Sequence, residues 1–329
     1  MNVAVAGATG LIGKALVREL LDAGHSVVAL TRKAPTSAEH QQLPAGAKVV
    51  QWSDQPDRQP FNPEEPWIRA VAESDAVVNL AGASIGGPRW TERRKRLLRE
   101  SRVLSTGALV AAMETAQPGQ RPKVLVNASG IDYYGNHASD ERVTEDSPPG
   151  QSFLARLCVE WEAAARKAEP LGVRVVLMRT AVVIDRDALA FRLLILPFRL
   201  FAGGPLGNGR QWFTWIHRRD IVGLYRFAIE NAQVQGPLNA VAPDVRQERA
   251  VAKAIGKTLN RPAFAPAPSF ALRLVLGEQA DLLLHGRYAV PERALATGYE
   301  FVYPRLEPAL AEALGHAQAA PPTPVAPAA

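Results

Sequence analysis

Seven residues into the chain, Gly7-Ala-Thr-Gly10-Leu-Ile-Gly13 follows the apolar run Asn2 to Ala6 and precedes apolar residues at helical spacing, Leu11, Ile12, Ala15, Leu16, Leu20 and Leu21. This G-x-x-G-x-x-G pattern between a strand and a helix constrains the fold more than any other feature. Glycines are needed there for a sharp turn, for close approach of the backbone to a pyrophosphate, and for packing of the helix on the strand, with the phosphate at the helix N-terminus. Gly24 ends the helix and Ser26 to Leu30 forms a second apolar strand, so a βαβ unit is complete within about thirty residues, as a dinucleotide-binding turn requires. A bare strand-to-helix turn is the plainer alternative for a glycine motif of this length.

The alternation continues with apolar strands at Lys48 to Trp52, Ala76 to Leu80, Lys123 to Ala128 and Arg174 to Met178. Helical patterns separate them at Trp67 to Ala72, Thr91 to Met113 and Phe153 to Lys167. Strands apolar along their whole length imply a parallel sheet covered on both faces. The fold class is therefore α/β: a Rossmann, doubly wound parallel sheet with a smaller, mainly helical C-terminal lobe. After Arg179 the pattern changes to a helix over Leu189 to Phe201 broken at Pro197, a glycine-rich loop, a short strand at Trp212 to His217, a helix capped by Asp220 and a strand near Leu238 that rejoins the sheet. Helices follow at Gln247 to Leu259, Ser269 to Leu276 and Pro304 to Leu314. The resulting division is a Rossmann domain over 1–180 plus about 212–242, a substrate lobe over 181–211 and 243–316, and a disordered Pro/Ala tail at 317–329.

The end of the second strand discriminates between cofactors. A carboxylate there bonds the ribose hydroxyls of NAD, whereas arginine accommodates the 2′-phosphate of NADP. Here the strand ends Thr31, Arg32, Lys33, with no carboxylate before Glu39, which favours NADP(H); solvated loop charges are the simpler alternative. Leu80, Ala81 and Gly82 close the fourth strand with residues that let a loop pass close to the adenosine ribose. The expected cofactor contacts are Gly7, Thr9, Gly10, Leu11, Ile12, Gly13, Thr31, Arg32, Lys33, Leu80, Ala81 and Gly82.

On these motifs, and on Asn127-Ala-Ser-Gly-Ile-Asp-Tyr-Tyr-Gly135, Thr144-Glu-Asp-Ser-Pro-Pro149, Trp161-Glu-Ala-Ala-Ala165, Gly203-Gly-Pro-Leu-Gly207, Trp215-Ile-His217 with Asp220, and Ala296-Thr-Gly-Tyr299, the chain resembles the extended short-chain dehydrogenases/reductases. More narrowly it is similar to the atypical, epimerase-like NADP-binding oxidoreductases that carry a C-terminal domain of unknown function. The resemblance covers residues 1 to about 315. It implies proton chemistry by a Tyr with a Lys four residues later on one helix, but none of the six tyrosines has that lysine. Phe153 and Leu157 occupy the aligned positions, and neither exchanges a proton. The atypical family generally lacks the pair. Ser129, at the strand end where the family's hydroxyl lies, and Tyr134, in the adjacent loop, are the remaining catalytic candidates: Ser129 to orient a substrate carbonyl and Tyr134 to supply the proton. Roles as a strand-end hydrogen bonder and a loop anchor are the alternative. His217 and Asp220 invite a general-base reading, but capping of the following helix explains Asp220 without chemistry. Where the family usually has Gln in the C-terminal segment, this chain has Arg287.

Composition narrows the rest. One cysteine, Cys158, excludes an internal disulfide and a multi-thiolate zinc site, so no metal is expected. The net charge of +6 permits an anionic partner. Between Arg89 and Arg102 stand seven basic residues against two acidic ones, but interleaved Trp90, Leu97, Leu98, Val103 and Leu104 read as a sheet-covering helix with a solvated basic face. The expected protein is cytoplasmic, with a small-molecule substrate and a second copy, as a homodimer, among the partners open to it; neither nucleic acid nor a membrane is expected. The reading is an NADP(H)-binding oxidoreductase or epimerase-like enzyme acting on a small carbonyl or sugar-type substrate, the alternative being a non-catalytic NADP(H)-dependent binding or regulatory protein. Isothermal titration should show NADPH binding more tightly than NADH; an NADPH dissociation constant no tighter than that for NADH would remove the assignment.

Overall fold

The seven apolar runs pair into one sheet. In the computed structural model, which describes residues 1–32, 42–53, 62–136 and 140–316, the first half runs β1 (Asn2–Ala6), α1 (Leu11–Asp22), β2 (Ser26–Thr31), β3 (Lys48–Gln51), α2 (Pro66–Ala72), β4 (Ala76–Asn79), α3 (Glu92–Glu114) and β5 (Val124–Gly130). There follow β6 (Arg142–Val143), α4 (Phe153–Arg166), β7 (Arg174–Thr180), β8 (Val182–Ile184), α5 (Leu189–Arg199), β9 (Trp212–Phe213), β10 (Trp215–His217), α6 (Arg218–Glu230) and β11 (Gly236–Ala240). The chain ends with β12 (Arg246–Gln247), α7 (Glu248–Leu259), α8 (Ser269–Leu276), α9 (Asp281–Leu284), β13 (Tyr288–Ala289), α10 (Glu292–Ala296) and α11 (Leu306–Ala313). The sheet order is β11-β7-β5-β4-β1-β2-β3, parallel throughout. This is the doubly wound arrangement in which ligands bind beyond the carboxyl ends of the strands, where the strand order reverses beside β1.

Both sheet faces are covered, because both faces of the strands are apolar. Val3, Val5, Val78 and Val126 pack against Leu16, Val17 and Leu20 of α1 and Ile221, Leu224 and Tyr225 of α6. On the other face Ala4, Val77 and Leu125 pack against Trp67 and Ile68 of α2 and Leu109 and Met113 of α3. A third apolar cluster joins α5, α7 and α11 through Phe191, Ile195, Ile255 and Leu310. Among the described residues no helix is long and apolar enough to cross a membrane. Lys33 and the segment 317–329 lie outside the described residues.

Three local expectations are corrected. Pro197 does not break α5, which runs on to Arg199; the proline forfeits one i→i−4 bond, to the carbonyl of Leu193, and the helix ends two residues later. The expected strand Trp212 to His217 divides at Thr214: β9 pairs with β12 and β10 with β8. Asp220 is not the cap of α6. His217 caps it, its Nδ1 accepting from Arg219 N at 3.2 Å, and Asp220 instead accepts from the backbone N–H groups of Val302 and Tyr303 at 2.6 and 2.9 Å, fastening the C-terminal segment to the sheet domain.

A buried ion pair ties the strand ends together. Arg179 at the end of β7 and Glu162 on α4 form a bidentate pair, Nε to Oε1 and Nη2 to Oε2, both 2.9 Å. Nη1 of Arg179 donates to the Tyr134 hydroxyl and to the carbonyl of Glu145. The hydroxyl of Tyr134 donates to Asn239 Oδ1 on β11 at 2.7 Å, and Ser129 Oγ donates to Glu162 Oε1 at 2.8 Å. Removing one member of such a pair strands a charge away from water, so Arg179→Met is expected to cost about 3–5 kcal/mol, read as a lower urea midpoint. Adding Glu162→Leu should recover part of that loss; a double variant less stable than Arg179→Met would contradict this account of the pair.

Candidate functional site

The first turn is shaped by what its glycines lack. Gly7 has φ +79°, a conformation that L side chains rarely adopt, and a Cβ there would stand 2.7 Å from the carbonyl carbon and oxygen of Leu80. A Cβ on Gly13 would overlap the carbonyl oxygen of Gly7. The turn therefore lies directly against the exit of β4, and α1 directly against the turn. Gly10 sits at the N-cap of α1 with no side-chain cap, and the first turn of the helix carries no acidic residue. Its leading N–H groups and the positive end of its dipole face outward, the arrangement that receives an anion.

These elements surround a cleft of about 450 Å³. Gly7, Thr9, Gly10 and Lys14 line it from the turn, Leu30, Thr31 and Arg32 from the end of β2, and Leu80, Ala81 and Gly82 from the exit of β4. Leu11, Ile12 and Gly13 are not among the lining residues: Leu11 packs against the C-terminal apolar cluster, Ile12 against the α1/α6 core, and Gly13 serves the helix packing. Lys14, Gln42, Trp52 and Ser101 also line the cleft and were not anticipated. Lys14 stands one helical turn after Gly10, a spacing that could have revealed it; the other three arrive through tertiary contact alone. Thr31 is buried and Arg32 exposed at the rim. The exit of β4 is braced from below, Asn79 Nδ2 donating to Thr106 Oγ1 and Asn127 Oδ1 and its Oδ1 accepting from Ala81 N at 3.1 Å.

Ser129 and Tyr134 lie in the buried network at the ends of β5 and β7. Ser129 is 5% exposed and Tyr134 1%. Burial outweighs the nearby Arg179 and pushes the Tyr134 hydroxyl up to about 12. Phe153 and Leu157 sit in a small apolar cluster with Leu98, Leu154 and Trp90, and Trp90 meets Phe153 edge-on at 5.5 Å. The helix positions that lack Tyr and Lys are thus filled by hydrocarbon. Burial likewise raises the Cys158 thiol to about 12, which keeps it a small apolar group. His217 is held below its ordinary value by burial, with Nε2 3.0 Å from Glu312. Arg287 bonds Asp132 at 2.9 Å.

Within the basic segment Arg93, Arg96 and Arg99 are exposed, whereas other members are engaged. Arg89 bonds the carbonyls of Leu274 and Val275, Lys95 pairs with Glu278 at 2.6 Å, and Arg102 is buried. A second, more open groove of about 540 Å³ lies in the C-terminal region, with Pro205, Arg210, Arg249, Lys253 and Phe264 among its lining residues.

Comparison with known proteins agrees with this architecture. The chain is 39% identical over 315 residues to the mouse epimerase family protein SDR39U1, covering 94% of this chain and 98% of that one. It is 39% identical over 314 residues to a chloroplastic SDR39U1 homolog of Arabidopsis thaliana, covering 94% and 86%. The crystal structure of human SDR39U1 (isoform 2) with NADPH superposes with a TM-score of 0.82 at 35% identity, covering 96% of this chain and all of that one. A UDP-glucuronic acid 4-epimerase from Bacillus cereus, at 16% identity and a TM-score of 0.72, shares the fold. Residues 267–313 match a domain of unknown function, DUF1731. Residues 3–240 match the NAD dependent epimerase/dehydratase family, and to that family the chain belongs.

Proposed function

We propose that the protein is an NADP(H)-dependent oxidoreductase or epimerase-like enzyme of the cytoplasm, acting on a small carbonyl or sugar-type substrate. The observation that carries this reading is the cradle itself: Gly7, lacking a Cβ, lets the turn lie directly against the backbone of Leu80 and Ala81, and the turn leads into an uncapped helix N-terminus at the cleft. A pyrophosphate fits there, on backbone N–H groups. Thr31 and Arg32 then meet the 2′-phosphate and Leu80 to Gly82 follow the ribose. NADPH in the human relative's crystal structure supports the same choice of cofactor.

Bound in this cleft, the dinucleotide supplies a hydride donor or acceptor; the protein's part is to position and orient. Ser129 and Tyr134 stand at the strand ends that adjoin the reacting end of such a cofactor. Under the enzymatic reading Ser129 orients the substrate and Tyr134 holds the proton-bearing hydroxyl. A hydroxyl pushed up to about 12 stays protonated at neutral pH and serves as an acid, not a base. The groove around Arg210, Arg249 and Lys253 would face an anionic substrate.

The second reading, a non-catalytic NADP(H)-dependent binding or regulatory protein, is favoured by the same network. Tyr134 and Ser129 are occupied by Asn239, Arg179 and Glu162, and Phe153 and Leu157 are apolar. A screen of carbonyl compounds that follows NADPH absorbance separates the two: oxidation with at least one class is expected, whereas stoichiometric NADPH binding with no oxidation supports the regulatory protein. With a substrate in hand, Tyr134→Phe should lower turnover at least about a hundredfold if this hydroxyl gives the proton. Unchanged turnover, with only about 1–3 kcal/mol of lost stability from the unpaired Asn239 and Arg179 groups, would remove Tyr134 from the chemistry.

A further inference from the structure

Among the described residues three arginines are almost wholly buried, and one of them stands apart. Arg179 is paired with Glu162 and Arg287 with Asp132. Arg102, 7% exposed, has no such partner among the described residues. Its Nη1 donates to the carbonyl of Leu98 and its Nη2 to that of Ala83, both at 3.0 Å, and its guanidinium lies 5.1 Å from the ring centroid of Trp161. Neutral carbonyls and an aromatic face satisfy hydrogen bonds and give some cation–π attraction, but they do not cancel a charge. Burial accordingly depresses the Arg102 guanidinium below its ordinary value, with Arg94 working in the same direction and Asp132 and Cys158 opposing it. A buried charge is ordinarily paired.

Its place in the fold says where the missing charge comes from. A Cβ on Gly82 would stand 3.3 Å from Arg102 Cζ and 3.5 Å from Nε, so the guanidinium lies against the backbone of a residue that lines the 450 Å³ cleft. Ser101, its neighbour on α3, lines the same cleft and accepts from Ala83 N at 3.0 Å. One turn of α3 thus clamps Ala83 by both its N–H and its carbonyl, and sets a positive charge behind the Gly82–Ala83 wall.

We propose that Arg102 is an electrostatic positioning residue for the dinucleotide's phosphates, acting from α3 behind the exit of β4. This rests on the cofactor reading above. The charge acts through the Gly82–Ala83 wall at short range and low dielectric, where its attraction for an anion is screened far less than in water. Gly82, without a Cβ, lets the guanidinium lie close behind the wall, and among the described residues no carboxylate is paired with Arg102.

Fluorescence titration of the full chain with NADPH, and with 2′-AMP as a probe of the adenosine end alone, tests the proposal. In R102M the dissociation constants for NADPH and for 2′-AMP should both rise, that for NADPH at least about tenfold, and the slope of log Kd against log salt should become shallower by removal of one charge. R102K, which keeps the charge, should recover most of the NADPH affinity. Should R102M fail to fold, R102Q, which keeps donors for the two carbonyls but not the charge, takes its place with the same expectation. Equal losses in R102K and in the neutral variant would assign Arg102 a purely structural clamp and overturn the proposal, as would unaltered NADPH binding in the neutral variant. Wild-type protein that binds neither NADPH nor 2′-AMP would overturn the cofactor reading itself, an outcome distinct from the other two.

Discussion

The contact between the first turn and the exit of the fourth strand is the constraint on which the rest of the structure depends. Gly7 must take a positive φ and present no side chain to Leu80, and Gly13 must present none to Gly7. Any Cβ at either position pushes α1 off β1 or the turn off β4. When the three segments lie in contact, the strand order can reverse beside β1, and the cleft that forms there is floored by backbone and not by side chains. Backbone N–H groups at an uncapped helix end, a buried threonine and an arginine at the rim then follow from the path of the chain.

The far end of the same sheet is held by charge. Arg179 and Glu162 close a network that runs from Ser129 on β5 through α4 and β7 to Tyr134 and Asn239 on β11. Asn239 also donates from its backbone to Glu145 and from its side chain to the carbonyl of Val290. The C-terminal region is therefore attached through the residues that close the strand ends, with Asp220 providing a second attachment at Val302 and Tyr303. The cleft at the carboxyl ends of the strands and the C-terminal region are thus built on one frame.

Much of this was legible in the amino-acid sequence, for physical reasons. Apolar strands such as Val3-Ala-Val-Ala6 fit a parallel sheet covered on both faces, and the glycine spacing at residues 7, 10 and 13 fits a tight strand-to-helix turn. What was not legible depends on contacts between segments far apart in the chain. Asp220 has the look of an N-cap in sequence, yet its partners lie 82 and 83 residues away. Arg102 belongs to a run of basic residues that reads as a solvated face; only the fold shows α3 turning that one arginine inward against Gly82. Pro197 marks a helix break unless the helix is known to end within a turn of it. Of the cleft, the Gly7–Gly10 turn, the end of β2 and the exit of β4 were readable from local pattern, whereas Gln42, Trp52 and Ser101 converge from separate loops and helices.

The central claim is that a dinucleotide lies across the carboxyl ends of β1, β2 and β4, against a wall of backbone. Amide hydrogen exchange with and without saturating NADPH tests it most directly, since it reports on that backbone residue by residue. The account predicts slowed exchange in three separate stretches, at 7–14, 30–32 and 80–83, with little change in the C-terminal groove around Arg210 and Arg249. Protection confined to that groove, or none in the first turn, would contradict it.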